Sequence, residues 1–158
     1  MTNLFNLLLI IVLGIVYMFS YAIIINKYIE KKIAPNKNNA LLILYFSAIL
    51  SAGINLYHVS ETATNAFVFF IDKSDYFKAI FYAVSFVGGM WLFSFLFFLV
   101  SFMFVTILTP KDEKIELSKG NFEMAGLHSI ILILLSFVIA PALISVASEF
   151  IPYPELPF

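Results

Sequence analysis

The chain has 158 residues, of which 62% are hydrophobic and 12% are charged, and its formal net charge is −1. Soluble domains are closer to half apolar and a quarter charged, so this composition argues against a water-soluble fold. The lack of a basic block argues against nucleic-acid binding. The lack of cysteine excludes disulfides and thiolate chemistry. We expect an all-α integral membrane protein in contact with the lipid bilayer, with no cofactor.

Four charge-free stretches are each long enough to cross a hydrocarbon layer of about 30 Å, which takes roughly 20 residues of helix. The predicted transmembrane helices cover residues 4–26, 39–60, 79–109 and 123–148. The first stretch lacks a basic start and an Ala-x-Ala site, so we interpret it as a retained span. The third is longer than a bilayer requires, and Gly88 and Gly89 are its candidate kink and helix-packing positions.

The orientation of these spans is predicted from the lysines. All nine basic residues are lysines, and seven of them lie in the first and third connections. The positive-inside rule places these two connections in the cytoplasm. Both termini are then expected outside the cytoplasm.

The second span carries a stripe of polar side chains at helical spacing. Its members are Ser47, Ser51, Asn55, His58, Glu61 and Thr62. Hydrocarbon offers these groups no hydrogen-bond partner, so the stripe should face protein or water. One interpretation is a packing seam in which Asn55 bonds to a neighbouring helix. The other is a hydrated ion or proton path, with His58 and Glu61 as titrating groups near its outer mouth.

The last span presents a face of small residues that we expect to pack against the second span. It consists of Ala125, Ser129, Ser136 and Ala140. The two histidines, His58 and His128, should lie near opposite membrane faces, roughly 18 Å apart along the normal. One metal ion cannot bind both, so we predict no metal site and interpret His128 as an interfacial residue.

A short motif suggests an internal duplication. Residues 32–39 align with residues 114–121, and Lys, Ile, Lys and Asn recur in place. The aligned positions include Lys37 and Asn39 in the first copy, and Lys119 and Asn121 in the second, where Gly120 precedes Asn121. We predict two tandem two-helix repeats, residues 1–78 and 79–158, with Asn39 and Asn121 capping helix starts. The alternative is that any Lys- and Asn-rich connection before a span looks similar.

The element formed by Glu116, Gly120 and Asn121 opens the last span and is followed by the small residues Ala125 and Gly126. Together with four short spans in two halves and external termini, it resembles the YjfL-like family of bacterial inner-membrane proteins of unknown function. The resemblance implies a four-span architecture in the bacterial inner (plasma) membrane, and no established chemistry.

The sequence contains no recognisable Ser/His/Asp, Cys/His or metal-ligand constellation, so we do not expect an enzyme. We predict a non-catalytic membrane subunit that self-associates or anchors a partner, either as a homo-oligomer or in a membrane complex. The alternative is a small ion or proton channel or transporter that uses the polar stripe of the second span.

Overall fold

The structure is a computed structural model that describes residues 2–33 and 38–149. In these ranges the chain forms five α-helices: α1 (Thr2–Lys32), α2 (Asn39–Asp72), α3 (Tyr76–Leu108), α4 (Glu113–Ser118) and α5 (Phe122–Ser148). Four of them contain segments long and apolar enough to cross a membrane, namely Ile11–Lys32, Asn39–Asp72, Tyr76–Leu108 and Phe122–Ala142. The predicted all-α, four-span membrane fold is confirmed.

Helices α2 and α3 form a long antiparallel hairpin. Its turn places Ser74 in the left-handed region at φ 59°, and the Asp75 side chain then accepts from the backbone N–H of Lys78 to cap α3. Helix α2 continues from the predicted end at residue 60 to Asp72, because Glu61 points outward and leaves the buried face of the helix unbroken. Its 34 residues rise about 51 Å, more than the hydrocarbon layer needs.

The α2–α3 pair is the centre of the bundle, and α1 and α5 flank it. Helix α1 contacts α2 and α3, and α5 also contacts α2 and α3. Helix α2 packs against α5 over much of its length, as the small-residue face suggested. In the described ranges the backbones of α1 and α5 do not approach each other closely. If a two-fold axis related the two repeats, α1 would correspond to α3 and α2 to α5. A contact between α1 and α5 would then have to match the contact between α2 and α3. The tandem repeat therefore stays a prediction.

The core lies between these four helices and combines large and small side chains. Tyr21, Leu44, Phe98 and Leu132 are fully buried. Fully buried alanines on α2, such as Ala48, leave room for them. Many large apolar side chains instead cover the outer surface of the bundle. Such a surface suits lipid and would aggregate in water.

One end of the bundle holds the beginning of α2, the short helix α4 and the beginning of α5, and we call it the α4 end. Asn38 caps α2 there by accepting from the N–H of Leu41 at 2.9 Å, and its amide donates to the carbonyls of Leu117 and Ser118 at 2.9 and 3.2 Å. The predicted cap at Asn39 is therefore wrong. Asn39 is the first helical residue, and its side chain is exposed.

Asn121 caps α5 as predicted, accepting from the N–H of Met124 at 3.1 Å and donating to Glu116 at 2.9 Å. The capping asparagines thus stand 83 positions apart, one more than the ungapped alignment assumed. Lys119 is exposed and pairs with Glu116 at 3.2 Å. Gly120 has φ 85°, a left-handed conformation that explains glycine at this position. Lys37 lies outside the described residues.

Candidate functional site

A cluster of hydrogen-bonded polar side chains lies inside the bundle where α1, α2 and α3 meet. We call Tyr17, Tyr21, Asn55 and Ser94 the central cluster. The Ser94 hydroxyl lies 2.7 Å from the Tyr17 hydroxyl, accepts from the Asn55 amide at 2.8 Å and donates to the Met90 carbonyl at 2.8 Å. All four side chains of the cluster are buried.

The two tyrosines attach α1 to the central hairpin. The Tyr17 hydroxyl donates to the Ala52 carbonyl on α2, and the Tyr21 hydroxyl donates to the Ser94 carbonyl on α3, both at 3.1 Å. Their rings stack with centroids 6.3 Å apart. Because α1 makes fewer contacts with the bundle than α5 does, these directional bonds fix its rotation and depth.

Two polar atoms near this cluster are buried without a hydrogen-bond partner among the described residues. They are Oδ1 of Asn55 and Nε1 of Trp91. Trp91 sits edge-on to Tyr21, with ring centroids 6.2 Å apart. Asn55 therefore satisfies only part of its hydrogen-bonding capacity.

A separate link joins α2 to α5. The hydroxyls of Ser51 and Ser136 are hydrogen-bonded to each other, and Ser136 also donates to the Leu132 carbonyl of its own helix at 3.2 Å. Both serines are fully buried. On the same face of α2, the Ser47 hydroxyl donates to the Leu44 carbonyl at 2.8 Å, and Thr62 is also buried.

The structure divides the predicted polar stripe. Ser47, Ser51, Asn55 and Thr62 face the protein interior, while His58 and Glu61 do not. His58 is half-buried beside the exposed Tyr57, on an open groove of about 590 Å³. Glu61 is exposed. The buried face of α2 is centred on alanines such as Ala48 and Ala66, which puts His58 at its edge and Glu61 behind it.

A second cluster, which we call the inner cluster, lies near the α4 end and consists of Ser101, Glu113 and His128. Nε2 of His128 lies 2.6 Å from the Ser101 hydroxyl, and Nδ1 is in contact with Oε1 of Glu113. The side chains of Phe98 and Phe102 enclose the imidazole, with ring centroids 5.7 and 4.2 Å away. The other carboxyl oxygen of Glu113 has no partner in residues 2–33 and 38–149.

The interpretation of His128 as an interfacial residue was wrong. Its exposed fraction is 0%, and that of Glu113 is 3%. The reason is that the third connection folds back as α4, whose first residue, Glu113, comes to lie against the beginning of α5. Burial raises the pKa of the Glu113 carboxyl; the hydrogen bond to His128 and the charge of Lys114 oppose that shift, and Asp112 adds to it.

Sequence reasoning missed most of these partners. Ser94 and Ser101 lie seven residues apart in the aromatic-rich third span, a spacing that places both on one helix face, and this signal was available. Glu113 offered no such signal, because it belongs to a charged connection in which most residues face solvent.

The small-residue face of the last span is buried as a whole, at Ala125, Ser129, Ser136 and Ala140. The prediction that Gly88 and Gly89 are helix-packing positions was wrong, and a kink at these residues stays a prediction. A Cβ atom added at either glycine would meet nothing within 4 Å, so neither allows a close approach of helices. Helix α3 also continues through both residues to Leu108.

The order Ser101, His128, Glu113 is that of a hydrolytic triad, but the surroundings do not suit nucleophilic attack. The Ser101 hydroxyl donates to the Phe98 carbonyl at 2.7 Å and is fully buried. The backbone around it is helical, so its N–H groups are engaged in the helix and are not free to stabilise an oxyanion. Among the described residues, no group of three or more His, Asp or Glu could hold a metal ion.

The two clusters and the serine link lie at different depths. Ser94 and Ser101 are separated by two turns of α3, about 10 Å, and the fully buried Phe98 lies between them. On α5, the fully buried Leu132 separates His128 from Ser136 in the same way. In the described part of the chain, apolar packing thus separates the inner cluster from the other polar contacts, whereas Ser51 of the serine link and Asn55 of the central cluster lie one turn apart on α2.

Comparison with known proteins identifies a family over most of the chain. The model of a family described as Domain of Unknown Function (DUF350) matches residues 1–143. This match confirms the expected resemblance to an uncharacterised family, under that description and not under the YjfL-like name. Neither a curated protein nor a solved structure matches the chain.

Proposed function

Because the chain belongs to the DUF350 family, whose function is unknown, we propose a function from its geometry: a non-catalytic membrane subunit that self-associates. It lies in the inner membrane of a bacterium, with the lysine-rich α4 end in the cytoplasm and both termini outside. The seven lysines of the first and third connections support this orientation.

The observation that carries the proposal is the way the buried polar side chains are used. Those of the central cluster and the serine link bond to neighbouring helices of the same chain. The fully buried Phe98 and Leu132 separate the inner cluster from these bonds. This separation supports a role in fixing helix positions and not a route for ions through the bundle. The buried Ser101 likewise supports a role without catalysis.

The surface proposed for self-association is an aromatic patch at the start of α3. It consists of Tyr76, Phe77, Ile80 and Phe81, all more than half exposed, with Phe77 at 80%. The rings of Phe77 and Phe81 stack at 6.4 Å. Helix α3 is 33 residues long, about 50 Å, so its first turns extend past a 30 Å hydrocarbon layer whose other edge lies near Leu108.

A second copy of the chain is the occupant that fits this patch. Its flank carries both signs of charge, with Asp72, Lys73, Asp75 and Lys78 around the α2–α3 turn. A symmetric contact requires a surface complementary to itself, and mixed charge around an apolar centre meets that requirement. Copies confined to one membrane also meet with their α3 starts at the same height.

The experiment compares two double variants in liposomes. Phe77→Ala with Phe81→Ala removes the patch. A control, Phe19→Ala with Val138→Ala, removes equally exposed side chains from α1 and α5. Self-association is measured by energy transfer between labelled copies as the protein is diluted into lipid. The patch variant should raise the dissociation constant at least tenfold, and the control should leave it unchanged.

Two outcomes would contradict the proposal. A chain that is monomeric at every protein-to-lipid ratio would exclude self-association. A proton or cation flux above that of empty liposomes, lost in Asn55→Leu, would establish the alternative function of a small channel or transporter. That alternative is favoured by one observation: the buried Oδ1 of Asn55 has no hydrogen-bond partner among the described residues.

A further inference from the structure

The short helix α4 is attached to the bundle by two buried side chains and by hydrogen bonds from Asn38 and Asn121. Two of its side chains are buried, Glu113 and Leu117. Glu113 contacts His128 of α5, and the Leu117 carbonyl accepts from Asn38. The remaining residues of its six-residue sequence are at least partly open to solvent. Among these attachments, the contact between Glu113 and His128 is the one made by two buried titratable groups.

Hydrogen-bond counting shows how many protons this contact needs. The Ser101 hydroxyl has one hydrogen, which it donates to the Phe98 carbonyl, so it accepts from Nε2 of His128. Nε2 is then protonated. Nδ1 of the imidazole and Oε1 of Glu113 are both acceptors when deprotonated, so one further proton must lie between them.

With that proton the pair is electrically neutral, whether it is written as acid and imidazole or as carboxylate and imidazolium. Without it, a carboxylate faces an imidazole lone pair inside an apolar cage, and its second oxygen has no partner in the described ranges. With a second proton, a buried imidazolium faces a neutral acid. The pair is therefore satisfied by one shared proton only.

Few other charges act on the pair. On α4 and its cap, Lys114 and Asp112 act on the Glu113 carboxyl with opposite signs. The facing side of α3 is formed by Ser101 and two phenylalanines. Helix α2 has no charged residue before Glu61, and α1 makes no contact with α4 in the described part of the chain. Glu123, at the start of α5, is exposed.

We infer that Glu113 and His128 form a one-proton latch, which holds α4 against the bundle while they share a proton and releases it when that proton is lost. The inference goes beyond self-association and assigns the α4 end a response to proton concentration. Release uncovers Leu117 and the ends of α3 and α5 on the side that we propose to be cytoplasmic.

The direction of the pH dependence follows from the proton balance. In water, a carboxyl group titrates near about pH 4.3 and an imidazole near about pH 6.5. Above about pH 6.5 the released pair has lost the proton that the docked pair keeps, so docking weakens as the pH rises, by up to about tenfold per unit. Below about pH 4.3 the released pair holds two protons, and docking weakens again.

The absence of native cysteine allows a direct test in lipid nanodiscs. Leu117→Cys places a thiol on the buried side of α4, and Ser118→Cys places one on the exposed neighbour. The ratio of their maleimide labelling rates cancels the ionisation of the thiol and reports release of α4. Between pH 7 and pH 9 this ratio should rise by at least tenfold.

Glu113→Gln provides the matched variant, because its amide donates to Nδ1 without a titrating proton. Its labelling ratio should stay low and flat above pH 7, whereas Glu123→Gln, the exposed control, should keep the rise. A flat ratio in the parent chain, or an equal rise in Glu113→Gln, would overturn the latch. If Glu113→Gln does not fold, hydrogen exchange of the α4 amides in the unmodified protein, corrected for intrinsic rates, must show the same rise.

Discussion

The Tyr17 hydroxyl tests whether the central cluster holds α1 in place. The change Tyr17→Phe removes a single oxygen atom and keeps the ring, which stacks on Tyr21 with centroids 6.3 Å apart. That oxygen lies 3.1 Å from the Ala52 carbonyl and 2.7 Å from the Ser94 hydroxyl. The variant therefore loses the polar contacts that this one hydroxyl makes with two neighbouring helices, and it loses no packed surface.

The expected loss in the free energy of unfolding depends on whether the former hydrogen-bond partners of Tyr17 keep other partners. The Ala52 carbonyl lies inside α2 and keeps its helical hydrogen bond, and Ser94 keeps the Met90 carbonyl and the Asn55 amide. No buried group is left without a partner. Interhelical side-chain hydrogen bonds in membranes average about 0.6 kcal/mol each and reach about 1.7 kcal/mol. Tyr17→Phe should lower the free energy of unfolding by about 1 kcal/mol.

The assay is reversible unfolding in mixed micelles, followed by circular dichroism and by fluorescence of Trp91, the single tryptophan. Tyr28→Phe is the matched control on α1. The Tyr28 ring packs edge-on against Phe95 and Phe98, and its hydroxyl makes no hydrogen bond within the described ranges. Its free energy of unfolding should change by less than about 0.3 kcal/mol, the usual size of a neutral change.

A double-mutant cycle with Ser94→Ala isolates the bond between the two hydroxyls. Residues that share a hydrogen-bond network show coupling of about 0.5 kcal/mol or more. Equal stability of Tyr17→Phe and Tyr28→Phe, together with no coupling to Ser94, would refute the reasoning. The Tyr17 hydroxyl would then contribute nothing to holding α1 in place.

Three further predictions, which use five substitutions, separate particular contacts, and all are measured as free energies of unfolding. Ser94→Ala should cost about 1 to 3 kcal/mol, because it leaves the buried Asn55 amide without its partner, whereas Asn55→Leu should cost less because it removes both the donor and the orphaned oxygen. Asn38→Ala should cost about 1 kcal/mol or more by removing the cap of α2, and Asn39→Ala should be nearly neutral; equal effects would contradict the assigned cap. Gly120→Ala should cost about 1 kcal/mol, because alanine disfavours φ 85°, and a neutral result would show that this turn relaxes freely.

The number of spans could be predicted because a segment that crosses lipid must be long, apolar and free of charge. A helix of about 20 residues without charge satisfies its own backbone groups and crosses the bilayer, and the chain contains four such stretches. Helix ends were harder to predict. One outward-facing charge, Glu61, suggested the end of the second span, but the helix continues to Asp72 because its buried face is unbroken beyond Glu61.

The candidate site was predicted in part. The small and polar spacing of α2 and α5 pointed to Ser51, Asn55 and Ser136, which are all buried. His58 shares their approximate spacing and still lies on an open groove. A single-helix pattern defines a face to within a wide angle, and only the neighbouring helices decide which edge of that face is covered.

Charge-free length and lysine distribution by themselves determined a four-span, all-helical membrane chain, since these properties act on each helix separately. The pairing of Glu113 with His128, and of Ser94 with Asn55 and Tyr17, was decided by the tertiary structure. These partners come from different helices, so their meeting depends on the rotation and depth of each helix in the bundle. Those two quantities are set by packing between helices, and the spacing of residues within one helix does not identify their partners on another.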